Sequence, residues 1–265
     1  MQAQVLIEAI EAYAPLSLAE DHDPTGLQIG DPSQEIHRVM TTLDLRPEVV
    51  AEAIEQRVDF IFAHHPVMFH PAKNLDFRDP QKAMYADLIR HGIVVYAAHT
   101  NLDAAAGGMN DWLAQLLGIH EVVPLLANPD GQTGLGRIGR LAQETTVAEY
   151  ATFVRQQFGV DHLRVITPDL NRTIEQVAVI GGDGGRYYRQ AQAAGADVLV
   201  TADLYYHTGH DVLADDFVVI DPDHHMEAIV KEKMADLIRT WQSKERWQLT
   251  AVVPSRVNTD PYTYI

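Results

Sequence analysis

Apolar positions along the chain follow two alternating periods. Recurrence every three to four residues marks a helix over Val5–Tyr13, through Leu6, Ile7, Ile10 and Tyr13. Short unbroken apolar runs mark buried strands at Val39–Leu43, Asp59–Ala63 and Ile93–Ala98. Helices over Pro47–Gln56 and Gln81–His91 separate them, the second stopped by Gly92. Asp103 is placed to cap a helix over Ala104–Leu117 that ends at Gly118. After Pro124 a second series predicts strands at Gly134–Leu141, Val177–Ile180, Asp197–Thr201 and Phe217–Ile220. Its helices lie at Val147–Phe158, at Tyr187–Ala194 and, long and amphipathic, from Pro222 to Trp241. Continuous apolar strands alternating with helices predict α/β layers rather than an antiparallel sandwich.

The two series echo one another. In the first, EAIEQRVDF runs into AHHP and ADLIRHGIVVY into AAHTNLD; in the second, QAQAAGADVLV runs into TADLYYH and LADDFVVI into DPDHHME. Each is a helix, an apolar strand, and a His/Asp/Glu cluster where the strand stops. Ligands of open α/β sheets collect at the carboxyl ends of strands. The pattern predicts two related halves, residues 1–124 and 125–265, with one site between them and a C-terminal tail packing back on the first half.

Composition narrows the chemistry. At 265 residues, 46% apolar and 22% charged, the chain can bury a sizeable core. Twenty basic against 37 acidic residues leave a charge of −17, which argues against a nucleic-acid face or an anionic membrane as partner. No apolar run approaches the ~20 residues of a membrane span. The start, MQAQVLIEAIEAYAPL, lacks the basic region of a signal peptide, so the expectation is a soluble cytoplasmic protein. Cysteine is absent, which excludes disulfides, thiolate metal sites and thiol nucleophiles, while 13 histidines remain.

Three clusters can carry metal chemistry. Pro66 sets the pair His64-His65 at a strand end, where two imidazoles aimed apart can each grip a different ion; a surface pair is the plain alternative. His99-Thr-Asn-Leu-Asp103 follows another strand, and Asp103 is either a ligand or a helix cap. In Asp221-Pro-Asp-His-His-Met-Glu227, with Asp221 as N-cap and Pro222 at the first helical position, His224 and Glu227 share one helix face and His225 points elsewhere. The alternative there is a solvated, acidic helix start. Together His64, His65, Asp103, His224 and Glu227 offer three imidazoles and two carboxylates, a set suited to two divalent ions such as Zn, Fe or Mn. Gly181-Gly-Asp-Gly-Gly185 is a tight strand-to-helix turn or a phosphate cradle. Asp203, His207 and His99 are candidates for orienting ligands or for acid/base work, with a structural histidine as the plain alternative.

These motifs, with DPTGLQIG, LDLRPEVVAEAI, FIFAHHPVMF, AAHTNLDAAAGGMND, GLGRIGRL, VAVIGGDGG, GADVLVTADLYYHTGHD, VIDPDHHMEAIV and the tail NTDPYTYI, resemble the Nif-three-like dinuclear-metal hexameric proteins, also named GTP cyclohydrolase 1 type 2 homologues. The resemblance spans nearly the whole chain. It implies two similar, intertwined α/β halves in a ring-like homohexamer, with two divalent metal ions per subunit on His64, His65, Asp103, His224 and Glu227, the last as bridge. It implies a metal-dependent hydrolase acting on a small molecule: GTP, by imidazole ring opening with formate release, or another nucleotide or cyclic amide. The alternative is a non-enzymatic metal-binding hexamer for metal storage or delivery, or an interaction platform. Asp223 departs from the glycine usual before the ligand histidine. The extra domain that some relatives insert between the halves cannot fit within Pro124–Thr173.

Overall fold

In the computed structural model, which describes residues 1–263 and 265, the apolar runs become the centres of two sheets. Tyr264, within the tail motif, lies outside the described residues. The chain opens with α1 (Ala3–Tyr13), β1 (Gly26–Ile29), β2 (Arg38–Thr42), α2 (Pro47–Glu55), β3 (Phe60–Ala63), α3 (Pro80–Arg90) and β4 (Val94–Ala97). Next come α4 (Thr100–Ala104), α5 (Met109–Leu116), the strands β5 (His120–Ala127) and β6 (Gly134–Thr146), α6 (Val147–Phe158), β7 (Arg164–Ile166) and β8 (Thr173–Val179). There follow α7 (Tyr188–Ala193), β9 (Val198–Val200), α8 (Tyr206–Ala214), β10 (Val218–Asp221), α9 (Val230–Glu245) and β11 (Ala251–Pro254).

Two compact units result: residues 1–102 with 228–260, and 103–227 with 261–265. They are not the contiguous stretches 1–124 and 125–265, because β11 returns to pair in parallel with β2 and α9 packs on the same sheet. The first sheet has the order β1-β4-β3-β2-β11, parallel except for β1. Met40, Val49, Ile61, Leu88 and Val95 fill its core. The second has the order β5-β6-β8-β9-β10-β7, with β8, β9 and β10 parallel and the others antiparallel. Ala178, Leu199, Phe217 and Val219 anchor its core.

Several sequence expectations are corrected. The helix expected over Ala104–Leu117 is two pieces, because Gly107 takes a φ of +75° and breaks the run; Asp103 lies inside the short α4, not at a cap. The helix expected from Pro222 starts as a 3₁₀ turn over His224–Ile229 and becomes α-helical only at Val230. Asp221 ends β10 and accepts the N–H of Asp223 (2.9 Å) in an Asx turn rather than capping an α-helix. Strands β1, β5, β7 and β11 and helix α8 have no counterpart in the periodicity. The helix α6 matches its pattern to the residue, framed by a Thr146/Glu149 capping box and a left-handed Gly159.

Candidate metal centre

In the first unit the carboxyl ends of the parallel strands β2, β3 and β4 share one sheet edge. Asp44 follows β2, His64 and His65 follow β3, and His99 follows β4. Because β1 runs antiparallel, with Gly26 opposite Ala97, Asp23 comes to that edge from the other direction. The backbone bends at His64–His65, where the N–H of His64 donates to Thr42 and Leu43 and that of His65 to Leu43. The two rings therefore do not aim apart as expected of neighbours on a strand. Their centroids lie 5.1 Å from each other, and 5.4 and 5.5 Å from that of His99. One ring nitrogen from each of the three falls within 4.8 Å of the others.

Each ring is held by its other nitrogen. His64 is buried and donates Nδ1–H to the Ala98 carbonyl (2.8 Å); His65 donates to Asp44 (2.7 Å) and His99 to Asp23 (2.9 Å). Carbonyls and carboxylates only accept, so the proton sits on Nδ1 and the lone pair on Nε2. Burial acts to raise the Asp23 carboxyl, but donation from His99 and Thr100 outweighs it and holds the group below the usual carboxylate range. Asp44 also accepts from Thr259 in the tail (2.6 Å).

The second unit repeats the plan with oxygen donors. Its parallel strands β8, β9 and β10 deliver Gly181-Gly182, Asp203 and His224 to one edge. In the 3₁₀ turn, residues three apart eclipse, which stacks Glu227 on His224 with Oε2 3.1 Å from Nε2. His224 donates Nδ1–H to Asp203 (2.5 Å). Glu227 is 3% exposed, and a carboxylate oxygen of Asp103 lies within 4.8 Å of one of its own. The glycine run makes room for these side chains. A Cβ at Gly181 would meet Glu227 Oε1 at 2.7 Å, and one at Gly182 would meet Glu227 and His224 at 3.1 Å. Two of its N–H groups are engaged within the unit, Gly181 with Asn110 (2.9 Å) and Gly184 with Thr201 (2.9 Å), so a tight turn rather than a phosphate cradle accounts for it.

Buried Asn110 also donates to the Asp103 carbonyl (3.0 Å), tying the Asp103 backbone to the glycine turn. The loop between them is fastened by fully buried Arg137, which donates to Ala105 (2.9 Å) and to Asp111 (2.7 Å). Asp223 takes a φ of +78°, a conformation suited to glycine, and accepts the N–H of His224 (2.6 Å). Burial raises the Asp221 carboxyl above its usual range, against the opposing effects of the Asp223 N–H and the Arg164 guanidinium.

Among the described residues, then, the chain holds His and Glu groups that can bind a metal ion. His99, a candidate for acid/base work on the sequence alone, joins His64 and His65. His225 belongs to none of the candidate metal groups among the described residues. His207 lies exposed between the rings of Tyr205 and Tyr206, at 5.5 and 5.4 Å. Asp23, Asp44, Asn110 and Arg137 were not found from sequence; a polar residue just beyond a buried parallel strand could have flagged Asp44, the others nothing local. No described helix is long and apolar enough to cross a membrane.

The Duf34/NIF3 (NGG1p interacting factor 3) family model matches residues 1–261. A Streptococcus pneumoniae protein named GTP cyclohydrolase 1 type 2 homolog is 42% identical over all of both chains, and a Lactococcus lactis protein of the same name is 38% identical over 95% of each. A Listeria innocua relative, 31% identical, aligns over 362 positions against the 265 residues here, so relatives carry added segments. The solved structure of a Bacillus cereus protein related to NIF3 superposes with a TM-score of 0.93 at 27% identity, covering 100% of this chain and 99% of that one. With its mixed α/β architecture and its strand-end histidines and carboxylates, this chain belongs to the Duf34/NIF3 family.

Proposed function

We propose that the protein is a dinuclear-metal-dependent hydrolase, holding two divalent ions (Zn, Fe or Mn) through His64, His65, Asp103, His224 and Glu227. The observation that carries this reading is the anchoring of the imidazoles. His64, His65 and His224 each give Nδ1–H to a fixed carbonyl or carboxylate, which fixes the ring and makes Nε2 the nitrogen that can face a cation; in His224 it lies 3.1 Å from Glu227 Oε2. Two carboxylates and three neutral imidazoles without sulfur match borderline divalent ions. Glu227, near both Asp103 and His224, is the natural bridge. These residues would hold a divalent ion, which would supply Lewis acidity and make a water more acidic. His99, oriented by Asp23, is the first candidate to hold or move a proton at Nε2, and His207 the second.

The names of the relatives point to GTP as substrate; opening of its imidazole ring with release of formate is what the family resemblance implies, and another nucleotide or a cyclic amide fits the same donors. The working form on this reading is a cytoplasmic, ring-like homohexamer of subunits with two intertwined halves. Formate release from GTP, followed with metal-replete and chelated protein, tests the reading. Metal-dependent release that is lost in Glu227→Gln supports it. Bound metal with no turnover of nucleotides or cyclic amides overturns the hydrolase and leaves the non-enzymatic alternative, a metal-binding hexamer for storage, delivery or protein interaction.

A further inference from the structure

The second unit carries a cavity of about 410 Å³ that the metal-centre reading does not use. Ile166 and Leu204 line it, together with the start of α8, where Tyr205 and Tyr206 stand 67% and 73% exposed. Roughly 300–1,000 Å³ is the usual range of small-molecule pockets. Two adjacent tyrosines left so open offer flat surfaces for stacking at a low cost in side-chain entropy.

Gly209 gives a second, independent indication. It occupies a regular position in α8, its N–H donating to the Tyr205 carbonyl (3.1 Å), and has no left-handed φ to explain it. A Cβ there would meet only ordinary contacts, at 3.5 Å from Ile166 and 3.9 Å from Leu204. Neither backbone nor packing demands glycine, yet glycine inside a helix costs about 1 kcal/mol relative to alanine. Its effect is to keep the wall of the cavity low beside Ile166.

Arg164 supplies the polar end. It spends a bond on Asp221 (2.6 Å), yet its side chain stays 63% exposed, and a guanidinium carries five N–H donors. Arg164 and Asp221 also line a neighbouring cavity of about 270 Å³, as do Asp203 and Asp223, the residues bonded to His224. The larger cavity thus communicates through Arg164 with the side chains that orient a candidate ligand.

We propose that the larger cavity binds a flat aromatic ring whose oxygen acceptor, a carboxylate or a carbonyl, meets the Arg164 guanidinium. That this ring is part of the substrate rests on the metal-centre reading; that the cavity takes it does not.

Saturation-transfer NMR on the full chain tests this with benzoate, benzamide and cyclohexanecarboxylate, metal content being measured on the same samples. Transfer to at least one aromatic probe is expected, at least about tenfold stronger than to the saturated ring, and the better of the two identifies the acceptor. Gly209→Leu, which fills the cavity, should abolish it. Arg164→Gln, a surface change, should weaken it about tenfold, the worth of a hydrogen bond to a charged group. Absence of transfer to both aromatic probes, equal transfer to cyclohexanecarboxylate, or unchanged binding in either folded variant overturns the proposal. Protein that binds the ring yet takes up no metal when divalent ions are supplied would sink the metal-centre reading alone.

Discussion

Three imidazoles meet at one sheet edge in the first unit, and His64, His65, His99 and Asp44 all keep negative φ. In the second unit one imidazole and two carboxylates gather beside three strand ends, where Gly182, Asp203 and Asp223 take φ values of +58°, +52° and +78°. Both use the carboxyl ends of three parallel strands. The nitrogen-rich cluster needs only a bend after β3, because long imidazoles reach inward from ordinary backbone. The oxygen-rich cluster draws short carboxylates together, so its backbone must come close, through glycines, left-handed residues and a 3₁₀ turn. The same topology therefore yields one cluster tolerant of backbone detail and another that depends on it.

The largest effect should come from the second cluster's hub. Glu227→Ala is expected to remove most bound metal, while His225→Ala leaves it largely intact, as measured by metal analysis of purified protein; equal losses would mean that Glu227 has no special place. Next, Arg137→Met strands the Ala105, Gly134 and Gly136 carbonyls and leaves the partly exposed Asp111 carboxylate with the Gly107 N–H; it should cost about 3–5 kcal/mol in urea unfolding. A loss under about 1 kcal/mol would show that the Asp103–Asp111 loop holds without it.

Asp44→Asn and Asp203→Asn probe the orienting carboxylates of the two clusters. Each should lower metal affinity about 10–100-fold with little change in unfolding midpoint. Unequal losses would say which cluster relies more on its outer support. A smaller effect is expected at Asp223. Alanine there should cost about 1–2 kcal/mol and glycine less, since both lose the bond from the His224 N–H but glycine relieves the φ of +78°.

The smallest effect is in acid. Asp23 is held below 3.8, so its contribution is present above that value and is lost as pH falls through its lower folded pKa. Asp221 is held above 3.8, so it costs stability at neutral pH and the cost fades as pH falls through its raised folded pKa toward 3.8. In a urea series run from neutral to acid pH, the deficit of Asp23→Asn should therefore narrow. The stability of wild type relative to Asp221→Asn should rise instead. Parallel trends would contradict the opposite signs assigned to the two carboxyls.

Part of this was legible beforehand. The strands β2, β3, β4, β8, β9 and β10 announce themselves as apolar runs because parallel strands are covered on both faces. The motifs at their ends name His64, His65, His99, Asp103, His224 and Glu227. The strands that periodicity passes over, β1, β5, β7 and β11, are the four edges of the two sheets, and each is partly exposed where central strands such as β3 and β9 are buried throughout.

What the sequence determined on its own is therefore the alternation of layers and the identity of the donors, since burial fixes where apolar residues fall and a strand must end somewhere polar. What only the tertiary structure decided is who holds each donor. Asp23 reaches His99 across 76 residues because β1 runs antiparallel to β4, and Thr259 reaches Asp44 across 215 because β11 returns to β2. Such partners are set by strand order and direction, which no local pattern of residues encodes.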